Sequence, residues 1–543
     1  MKHFGYYDMD GYGRYHPARR TSPPNRGIRR SRGVSVLIFF IVIFLCGGLY
    51  PDSTADAQAA NTKENRDYKY AAGLYAEGMY DMAIRELDRF IQTYPDSKLI
   101  VYARFLIAGS HFYKKDFDKT IQITTRIRKE NPSTDIMDKV LFLEGRAQFQ
   151  LKQYEKAVST LKRLLKEFPR STHTAEAMYN IGDACYNMKQ YSEAAETYKN
   201  LAVTYPKSDV ADWAWYSLGV TYQNLNDYKG AVEAFGNVFK LYPNSTLKNI
   251  CRFKMGESYF KIGDYANAVT MMNDVINVVT DRSMVVKGYY LLGEANFQLE
   301  RFSLARKNYQ IVYEQVPDES IASDAMEAVG WTYYQEKRYD LASDAFEKVI
   351  KTYPDADNID SAWFRLALAR KLAGNRSAAA DAYRTLATKY PKSSYADNSL
   401  YEMGMISYED SRFEEAADYF HQLITRYPSS DIKSDALTMY GQCVIEKKDY
   451  ESALVAFTEV TDSYPKSASY PVALFQRGYC EFALGRYQDA LKTAERFVNA
   501  FPENKLAPEG HLILAEAKYR LDDYSGSRDA YITMLTAYPD NPK

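Results

Sequence analysis

The residues of this sequence that could do chemistry do not cluster. Of its six histidines, only His111, His173, His421 and His511 follow residue 57, and they stand well apart from one another. The sequence has no H-E-x-x-H, G-x-S-x-G, G-x-x-x-x-G-K-[ST], G-x-G-x-x-G or paired CxxC motif. Metal sites and histidine-dependent nucleophiles need partners at close spacing. The sequence therefore predicts no catalytic residue, no metal site and no cofactor, and we expect the protein not to be an enzyme.

Aromatic residues are the side chains whose number and spacing indicate a function. They make up 15% of the chain, and 49 of them are tyrosines. An aromatic ring offers a large contact area with few rotatable bonds, which suits the binding of a peptide segment. Many of these rings recur at a fixed interval, so the elements that position them belong to a repeated unit.

The repeated unit is 37 residues long and occurs thirteen times. Each copy has an aromatic residue followed three positions later by a small one, from Tyr80 to Tyr524, except that Arg376 replaces the aromatic once. A proline stands fifteen residues after each of these positions, except at Thr280, and Ser, Thr or Asn follows two residues later in ten copies. Because proline ends a helix and a serine side chain caps the next one, we predict that tetrapeptides such as "YPKS" separate two helices.

Between these marks, apolar residues have helical spacing. In the fourth copy, Met178, Ile181 and Cys185 fall at i, i+3 and i+7. Each copy is therefore predicted to be two amphipathic helices joined by a short turn. The first helix also carries a small residue, Gly182 in this copy, which is Gly in nine copies and Ala in four. We expect it to let the second helix approach closely, in spite of the low helix propensity of glycine.

Eight residues of the fifth copy match a known repeat signature: Trp215, Leu218, Gly219, Tyr222, Tyr228, Ala231, Phe235 and Pro243. On these residues the copy resembles the tetratricopeptide repeat (TPR). The resemblance extends over residues 64–543 and implies an all-α fold, a right-handed superhelix of about thirteen helix-turn-helix repeats. The 37-residue form with aromatic-Pro-x-Ser is similar to the bacterial envelope branch of the family, which includes the β-barrel assembly lipoprotein BamD and the Tol-Pal coordinator CpoB.

Two aromatic positions recur on one face of the first helix, seven residues apart. In the TPR family the corresponding face lines a concave groove, so the resemblance implies a peptide-binding groove. Polar residues between the rings, Arg146, Asp183, Glu257 and Glu294, would tune its specificity. The alternative is that the rings only pack neighbouring first helices together. The predicted groove residues are Tyr179, Tyr186, Tyr216, Phe253, Phe260, Tyr290, Phe297, Tyr334, Phe364, Tyr401 and Tyr408.

The start of the sequence differs in composition from the repeats. Residues 1–33 form a Tyr-, Gly- and Arg-rich arm with eight basic and two acidic side chains, and an apolar run follows over residues 34–50. A basic arm before a short apolar run is typical of an export signal. The alternative is an uncleaved anchor in the inner membrane, with the repeats in the periplasm and with membrane contact only through this run.

A cleavage site favours the export signal over the anchor. Ala55 and Ala57 fit the A-x-A pattern, so residues 34–57 are predicted to be a signal cleaved near Ala57, followed by a linker over residues 58–63. The apolar run has 17 residues, which is about 25 Å as a helix, against a membrane core of about 30 Å. The mature protein is therefore predicted to be periplasmic.

The charge of the chain excludes one class of partner. Residues 58–543 contain 61 Lys and Arg and 66 Asp and Glu, which gives a formal charge of about −5. This charge gives no electrostatic basis for binding nucleic acid. We expect the partners to be proteins of the cell envelope.

The last repeat lacks the polar closing helix with which solenoids usually end. The sequence stops four residues after Pro539, and its last predicted helix is apolar in part. Tyr531, Met534 and Leu535 are predicted to form a C-terminal docking face for a partner or for self-association with a second copy.

Together these features predict a non-enzymatic periplasmic scaffold that binds partner proteins along an aromatic groove, in outer-membrane assembly or cell-envelope coordination. One alternative is the scaffold of an exopolysaccharide or protein secretion complex. The other, from a different class, is a glycan-binding protein or an enzyme accessory subunit.

Overall fold

The computed structural model describes residues 62–539, which form 26 α-helices and no strand. The predicted arm, the signal or anchor and nearly all of the linker lie in residues 1–61, outside the described residues, as do residues 540–543. The helices are paired in thirteen repeats, which confirms the prediction of an all-α helix-turn-helix repeat fold.

Each repeat has a first and a second helix, both close to four turns long. The first helices are α1 Lys63–Ala76, α3 Ile100–Tyr113, α5 Met137–Gln150, α7 Thr174–Asn187, α9 Ala211–Asn224, α11 Lys248–Ile262, α13 Arg282–Gln298, α15 Ser320–Gln335, α17 Ile359–Leu372, α19 Ala396–Glu409, α21 Lys433–Glu446, α23 Tyr470–Ala483 and α25 Ala507–Arg520. The second helices are α2 Tyr80–Thr93, α4 Phe117–Glu130, α6 Tyr154–Glu167, α8 Tyr191–Thr204, α10 Tyr228–Leu241, α12 Tyr265–Val278, α14 Phe302–Gln315, α16 Tyr339–Thr352, α18 Arg376–Lys389, α20 Phe413–Arg426, α22 Tyr450–Ser463, α24 Tyr487–Ala500 and α26 Tyr524–Ala537.

The turn between the two helices of a repeat has the same backbone conformation throughout. Its central residue has a positive φ in every repeat, from Gly78 at +77° to Asp522 at +62°. Only four of these thirteen residues are glycines, although glycine adopts this conformation with least strain. The recurring aromatic residue then opens every second helix except α18, which opens with Arg376; Tyr191 opens α8 in this way.

The serine of the tetrapeptide is not the N-cap that the sequence analysis predicted. Helix α7 begins three residues after Ser171, and its N-cap is His173, whose side chain makes no capping bond. The Ser171 hydroxyl instead accepts a bond from the His173 amide (3.2 Å) and donates one to Asp138 of the preceding repeat (2.6 Å). The serine therefore closes the turn and joins two repeats. Ser430 bonds to Asp397 in the same way.

The core of a repeat is built around a side chain seven residues into the second helix. Tyr198, Phe235 and Phe346 hold this position and are fully buried. A Cβ atom on Gly182 would lie 2.6 Å from the Tyr198 ring, and one on Gly330 would lie 2.5 Å from the Phe346 ring. The predicted role of the small residue in close helix packing is confirmed.

The cysteines of the described chain are buried thiols. Cys185, Cys251, Cys443 and Cys480 are buried and form no disulfide. Burial raises the pKa of the Cys443 and Cys480 thiols to about 12. These thiols therefore stay protonated and unreactive at neutral pH.

Contacts divide the chain into two units, one ending at Ala214 and the other beginning at Trp215. Within each unit, second helices pack against the first helix of their own repeat and against that of the next, as α6 packs against α5 and α7. Neighbouring first helices also touch, as α1 and α3 do in one unit and α23 and α25 in the other.

Between residues 62 and 539, no helix combines the length and the apolar character that a bilayer crossing needs.

Candidate protein-binding surface

The first helices carry two rows of aromatic side chains. We call them the inner row, to which Tyr179 and Tyr401 belong, and the turn row, to which Tyr186 and Tyr408 belong. The inner row packs on the core ring of its own repeat: the centroids of Tyr179 and Tyr198 are 5.7 Å apart. Phe253 is buried, whereas the other predicted inner-row residues keep part of their surface exposed. The predicted inner-row residues are Tyr179, Tyr216, Phe253, Tyr290, Phe364 and Tyr401.

The turn row packs on the aromatic residue that opens the second helix. Tyr186 meets Tyr191 edge to face at 5.3 Å, and Tyr334 meets Tyr339 at 5.5 Å. These contacts fix the rings within their own repeat, and each of the five predicted rings of this row remains partly exposed. Such rings are available to a partner at little cost in side-chain entropy. The predicted turn-row residues are Tyr186, Phe260, Phe297, Tyr334 and Tyr408.

The structure also explains two of the polar residues between the rings. The Tyr198 hydroxyl donates to Asp183, and the Tyr309 hydroxyl donates to Glu294 at 2.7 Å. Burial raises the pKa of Asp183 to about 6 and also raises the pKa of Glu294, although the tyrosine hydrogen bonds act in the opposite direction. These carboxylates therefore anchor core tyrosines, a role that the sequence analysis did not foresee.

The inner row is interrupted at Glu327, which the sequence analysis missed. This buried carboxylate accepts bonds from Asn358 (2.6 Å) and Ser361 (2.7 Å) and pairs with Arg365 at 2.7 Å. The Arg365 guanidinium lies 4.5 Å from the ring centroid of Trp331. The sequence carries a signal for this interruption, because Glu327 stands 37 residues after Tyr290, at a position where the repeat pattern predicts an aromatic residue.

At the C-terminal repeat, the three predicted docking residues do not share an exposed face. Leu535 is 64% exposed, but Met534 is buried and the Tyr531 hydroxyl donates to Glu516 of α25. Ile532, which is 53% exposed, is the neighbour that accompanies Leu535 on the surface.

Among residues 62–539, no group of three or more His, Cys, Asp or Glu side chains is placed to hold a metal ion.

Family comparisons agree with this repeat geometry. Three tetratricopeptide repeat models match the chain, one of them in five separate places. The matched residues are 213–245 for the first model, 67–97, 251–278, 361–393, 398–430 and 435–467 for the second, and 290–357 and 475–542 for the third.

The chain is a tetratricopeptide repeat protein. A further model, described as an outer membrane lipoprotein (YfiO), matches residues 134–226 of this TPR protein, so its repeats resemble those of BamD-type envelope proteins. No curated protein matches the chain.

Several solved structures are similar to this TPR protein over part of its length. MamA from Desulfovibrio magneticus RS-1 is 25% identical over 34% of this chain and 97% of its own, with a TM-score of 0.30. The C-terminal part of a TPR protein from Cytophaga hutchinsonii is 16% identical over 48% of this chain and 99% of its own, with a TM-score of 0.40. Naa15/Naa10 bound to HypK-THB is 14% identical over 89% of this chain and 69% of its own, with a TM-score of 0.37.

Proposed function

We propose that this TPR protein is a scaffold of the bacterial cell envelope that binds partner proteins along its first-helix aromatic rows, in outer-membrane assembly or cell-envelope coordination. The observation that carries the proposal is the match of residues 134–226 to the outer membrane lipoprotein model. The rows supply the binding surface, because contacts within a repeat fix rings such as Tyr186 and Tyr334, and all the predicted rings except Phe253 remain partly exposed. TPR folds typically bind and do not catalyse, so the scaffold role needs no enzymatic activity.

The proposed location is the periplasm, and it rests on the composition of residues 1–57. A basic arm, a short apolar run and the A-x-A pattern at Ala55 and Ala57 favour export and cleavage, which would release the repeats into the periplasm. The competing location is the inner membrane, with the repeats on its periplasmic side. N-terminal sequencing of the protein recovered from cells distinguishes the two: a mature start at Gln58 supports cleavage, and an intact start supports the anchor.

Affinity capture tests the function. The full chain, with a tag near its C-terminus, is recovered from mildly cross-linked envelopes, and its partners are identified by mass spectrometry. Recovery of barrel-assembly or Tol-Pal components supports the proposal. Recovery of a polysaccharide or protein secretion complex contradicts it in favour of an export scaffold.

Two variants show whether capture depends on the aromatic rows. Tyr186→Leu keeps apolar bulk against Tyr191 but removes the ring and hydroxyl that a partner would contact. Val455→Ser changes a residue of α22 that is 70% exposed and lies outside the rows. We expect the first variant to lower the yield of partners and the second to leave it unchanged. Equal yields from both would show that binding uses another surface.

A further inference from the structure

The positive charge of the repeats is concentrated in one short stretch of the chain. Residues 98–170 contain 16 Lys and Arg and 8 Asp and Glu, which gives a formal charge of +8. Residues 171–543 contain 40 Lys and Arg and 51 Asp and Glu, which gives −11. The second and third repeats, within the unit that ends at Ala214, are therefore basic in a chain that is otherwise acidic.

Six of these cations form two matching sets, one on α4 and one on α6. Within each helix they are spaced i, i+7 and i+10, which puts them on one face, and the opposite face is buried through residues such as Ile127 and Leu161. The two sets are 37 residues apart on helices that both pack on α5, so they face the same side. No other second helix of residues 62–539 is basic at all three positions. We call the six exposed side chains the basic panel: Lys119, Arg126, Lys129, Lys156, Arg163 and Lys166.

Half of the basic panel has no counter-ion within the described chain. Among residues 62–539, no carboxylate forms an ion pair with Lys129, Lys156 or Lys166. The other three cations each pair with a carboxylate three or four residues away on the surface of the same repeat. Such exposed pairs contribute little to stability, so an external anion can compete for these cations as well.

Three lysines in the turns before α4, α6 and α8 hold a backbone conformation that disfavours lysine. Lys115, Lys152 and Lys189 have φ angles of +64°, +60° and +62°, and all three are exposed. Glycine takes the same position with least strain at Gly78 and in three other turns. Strained residues tend to persist where function requires them. Lys115 and Lys152 stand four residues before the first cation of each set, so they extend the basic panel along its edge.

We infer that the basic panel binds the anionic surface of a phospholipid bilayer and holds the first repeats of the scaffold at a membrane. A spread of exposed cations is attracted to the phosphate charges of such a surface. The contact uses the side of the second helices that is turned away from the first helices, so the aromatic rows stay available to a partner protein. The inference goes beyond the proposed function, but its choice of occupant rests on the proposed envelope location.

A bilayer fits the basic panel better than an acidic polymer does. A polymer is bound in a groove that follows its chain, with aromatic rings on which bases or sugars stack. The basic panel lies on the surfaces of two helices, with Gln122 and Ser159 between its cations. The aromatic residues that open these helices, Phe117 and Tyr154, pack edge to face on rings of the first helices. The panel therefore offers positive charge without a surface for stacking.

The position of the basic panel along the chain favours the same occupant. The apolar run of residues 34–50, which lies outside the described residues, is predicted to enter the membrane during export. Residues 51–62 join this run to α1, and a chain of that length spans about 40 Å when fully extended. The basic panel begins in the second repeat, so it is close along the chain to the predicted membrane segment.

Energy transfer from the basic panel to labelled lipid tests the contact. A donor dye is attached to the full-length chain at Ser159→Cys, an exposed position on α6, and the vesicles carry acceptor dyes on lipid headgroups. Vesicles of equal parts phosphatidylglycerol and phosphatidylcholine are compared with phosphatidylcholine alone, which measures any approach caused by the apolar run. We expect at least about threefold more transfer on the anionic vesicles. This excess should disappear at about 0.5 M salt, because screening weakens exposed charges.

A triple variant shows whether the excess transfer depends on the basic panel. Lys129→Gln, Lys156→Gln and Lys166→Gln together remove the three cations without an ion pair, and should reduce transfer on anionic vesicles to the level of neutral ones. The variant keeps residues 1–57, so the basic arm and the apolar run still contribute as in the wild type. Thermal melting shows whether it is folded.

A second triple variant is the matched control. Lys389→Gln, Lys466→Gln and Lys492→Gln remove the same charge from exposed lysines of the other unit, and the excess transfer should remain. The chain without Ser159→Cys, labelled in the same way, measures dye attached to other cysteines.

Two outcomes overturn the inference and leave the scaffold function intact. Equal transfer on both kinds of vesicle, or an excess that survives the triple variant of the panel, shows that the panel does not contact the bilayer. Panel-dependent binding of a galacturonate oligomer or an oligonucleotide, without excess transfer to lipid, replaces the membrane by a soluble polyanion. Conversely, recovery of a secretion complex by affinity capture contradicts the proposed function, whereas excess transfer that depends on the panel still supports the membrane contact.

Discussion

At the residue scale, the two helices of a repeat pack closely because a side chain of the second helix lies against a small residue of the first. Eight of the nine recurring first-helix glycines face a large side chain of the second helix at under 3 Å from an ideal Cβ. Gly478 is the exception, because Ala494 stands where the other repeats place a larger residue, and the nearest atom is 3.5 Å from its Cβ. The chain thus provides its own comparison between a required and an optional glycine.

Replacing these glycines by alanine should have opposite effects. Gly330→Ala puts a methyl group 2.5 Å from the Phe346 ring, so overpacking should destabilise the protein by about 1–3 kcal/mol. Gly478→Ala meets no such contact, and the better helix propensity of alanine should stabilise by up to about 1 kcal/mol. Thermal unfolding of the two variants beside the wild type measures both effects. Equal losses of stability in the two variants would show that the Phe346 ring is not the reason why residue 330 must be glycine.

Asp183 should make stability depend on pH in an unusual direction. Burial raises the pKa of Asp183 from its ordinary value of 3.8 to about 6, so the folded state binds this proton more tightly than the unfolded state. The contribution of Asp183 is therefore most favourable below about pH 4 and is lost as the pH rises through 6. Asp183→Asn, which keeps an acceptor for Tyr198, should be more stable than the wild type at pH 7 by on the order of 2 kcal/mol.

Urea unfolding of both proteins between pH 4 and pH 7 measures this difference. Comparing the variant with the wild type at each pH cancels the titration of the other carboxylates. The gap should close as the pH falls. A gap that is constant with pH would mean that Asp183 titrates normally in the folded state.

At the element scale, successive repeats are joined by a hydrogen bond between the inter-repeat turn and the preceding first helix. Ser171 bonds to Asp138 and Ser430 bonds to Asp397, in each case across 33 residues. The pattern has an internal exception at the turn before α23. There the Ser467 hydroxyl is buried without a partner, and Ser469 donates to Asp435 instead.

Alanine substitutions should distinguish these two serines. Ser430→Ala removes a hydrogen bond of 2.6 Å to a carboxylate and should cost about 1–2 kcal/mol. Ser467→Ala removes a hydroxyl that has no partner and should be neutral or slightly stabilising. Thermal unfolding measures both, and Asp397→Asn combined with Ser430→Ala shows whether the two side chains are coupled. A costly Ser467→Ala would show that the turn itself, and not the bond, requires serine.

The order of the helices, the 37-residue spacing of the helix pairs and the close-packed glycines could be predicted from the sequence, because each depends on residue types repeated in register. The turn between paired helices could not be predicted in detail. Lys115, Lys152 and Lys189 adopt positive φ there, and lysine carries no sequence signal for that conformation. The serine was misplaced for a related reason: its partner, Asp138, is distant in sequence and comes close only when two repeats are packed.

The candidate surface was predictable in outline only. The 37-residue spacing identified the aromatic rows, but it did not show that Tyr198 and Tyr309 reach Asp183 and Glu294 across the repeat. Each of these contacts depends on the distance between two helices.

At the scale of the whole molecule, helices contact near neighbours along the chain, so damage should stay local. Phe346→Ala removes a fully buried ring from α16, at a local cost of about 3–5 kcal/mol. We expect faster amide exchange in α15, α16 and α17, and unchanged exchange in α21 to α26. Hydrogen–deuterium exchange with mass spectrometry measures this region by region. The exposed substitution Val455→Ser is the control, and a uniform increase after Phe346→Ala would show that the repeats unfold together.

The constant period has a consequence for the gene. Every copy of the unit has the same turn, all but one open the second helix with Tyr or Phe, and all but one have a proline fifteen residues later. Recombination between similar copies would delete or duplicate a whole unit and still join compatible helices. Alleles that differ in the number of units would then all encode folded proteins. Selection can therefore change the length of this scaffold by one unit at a time, and no new kind of contact between helices is needed.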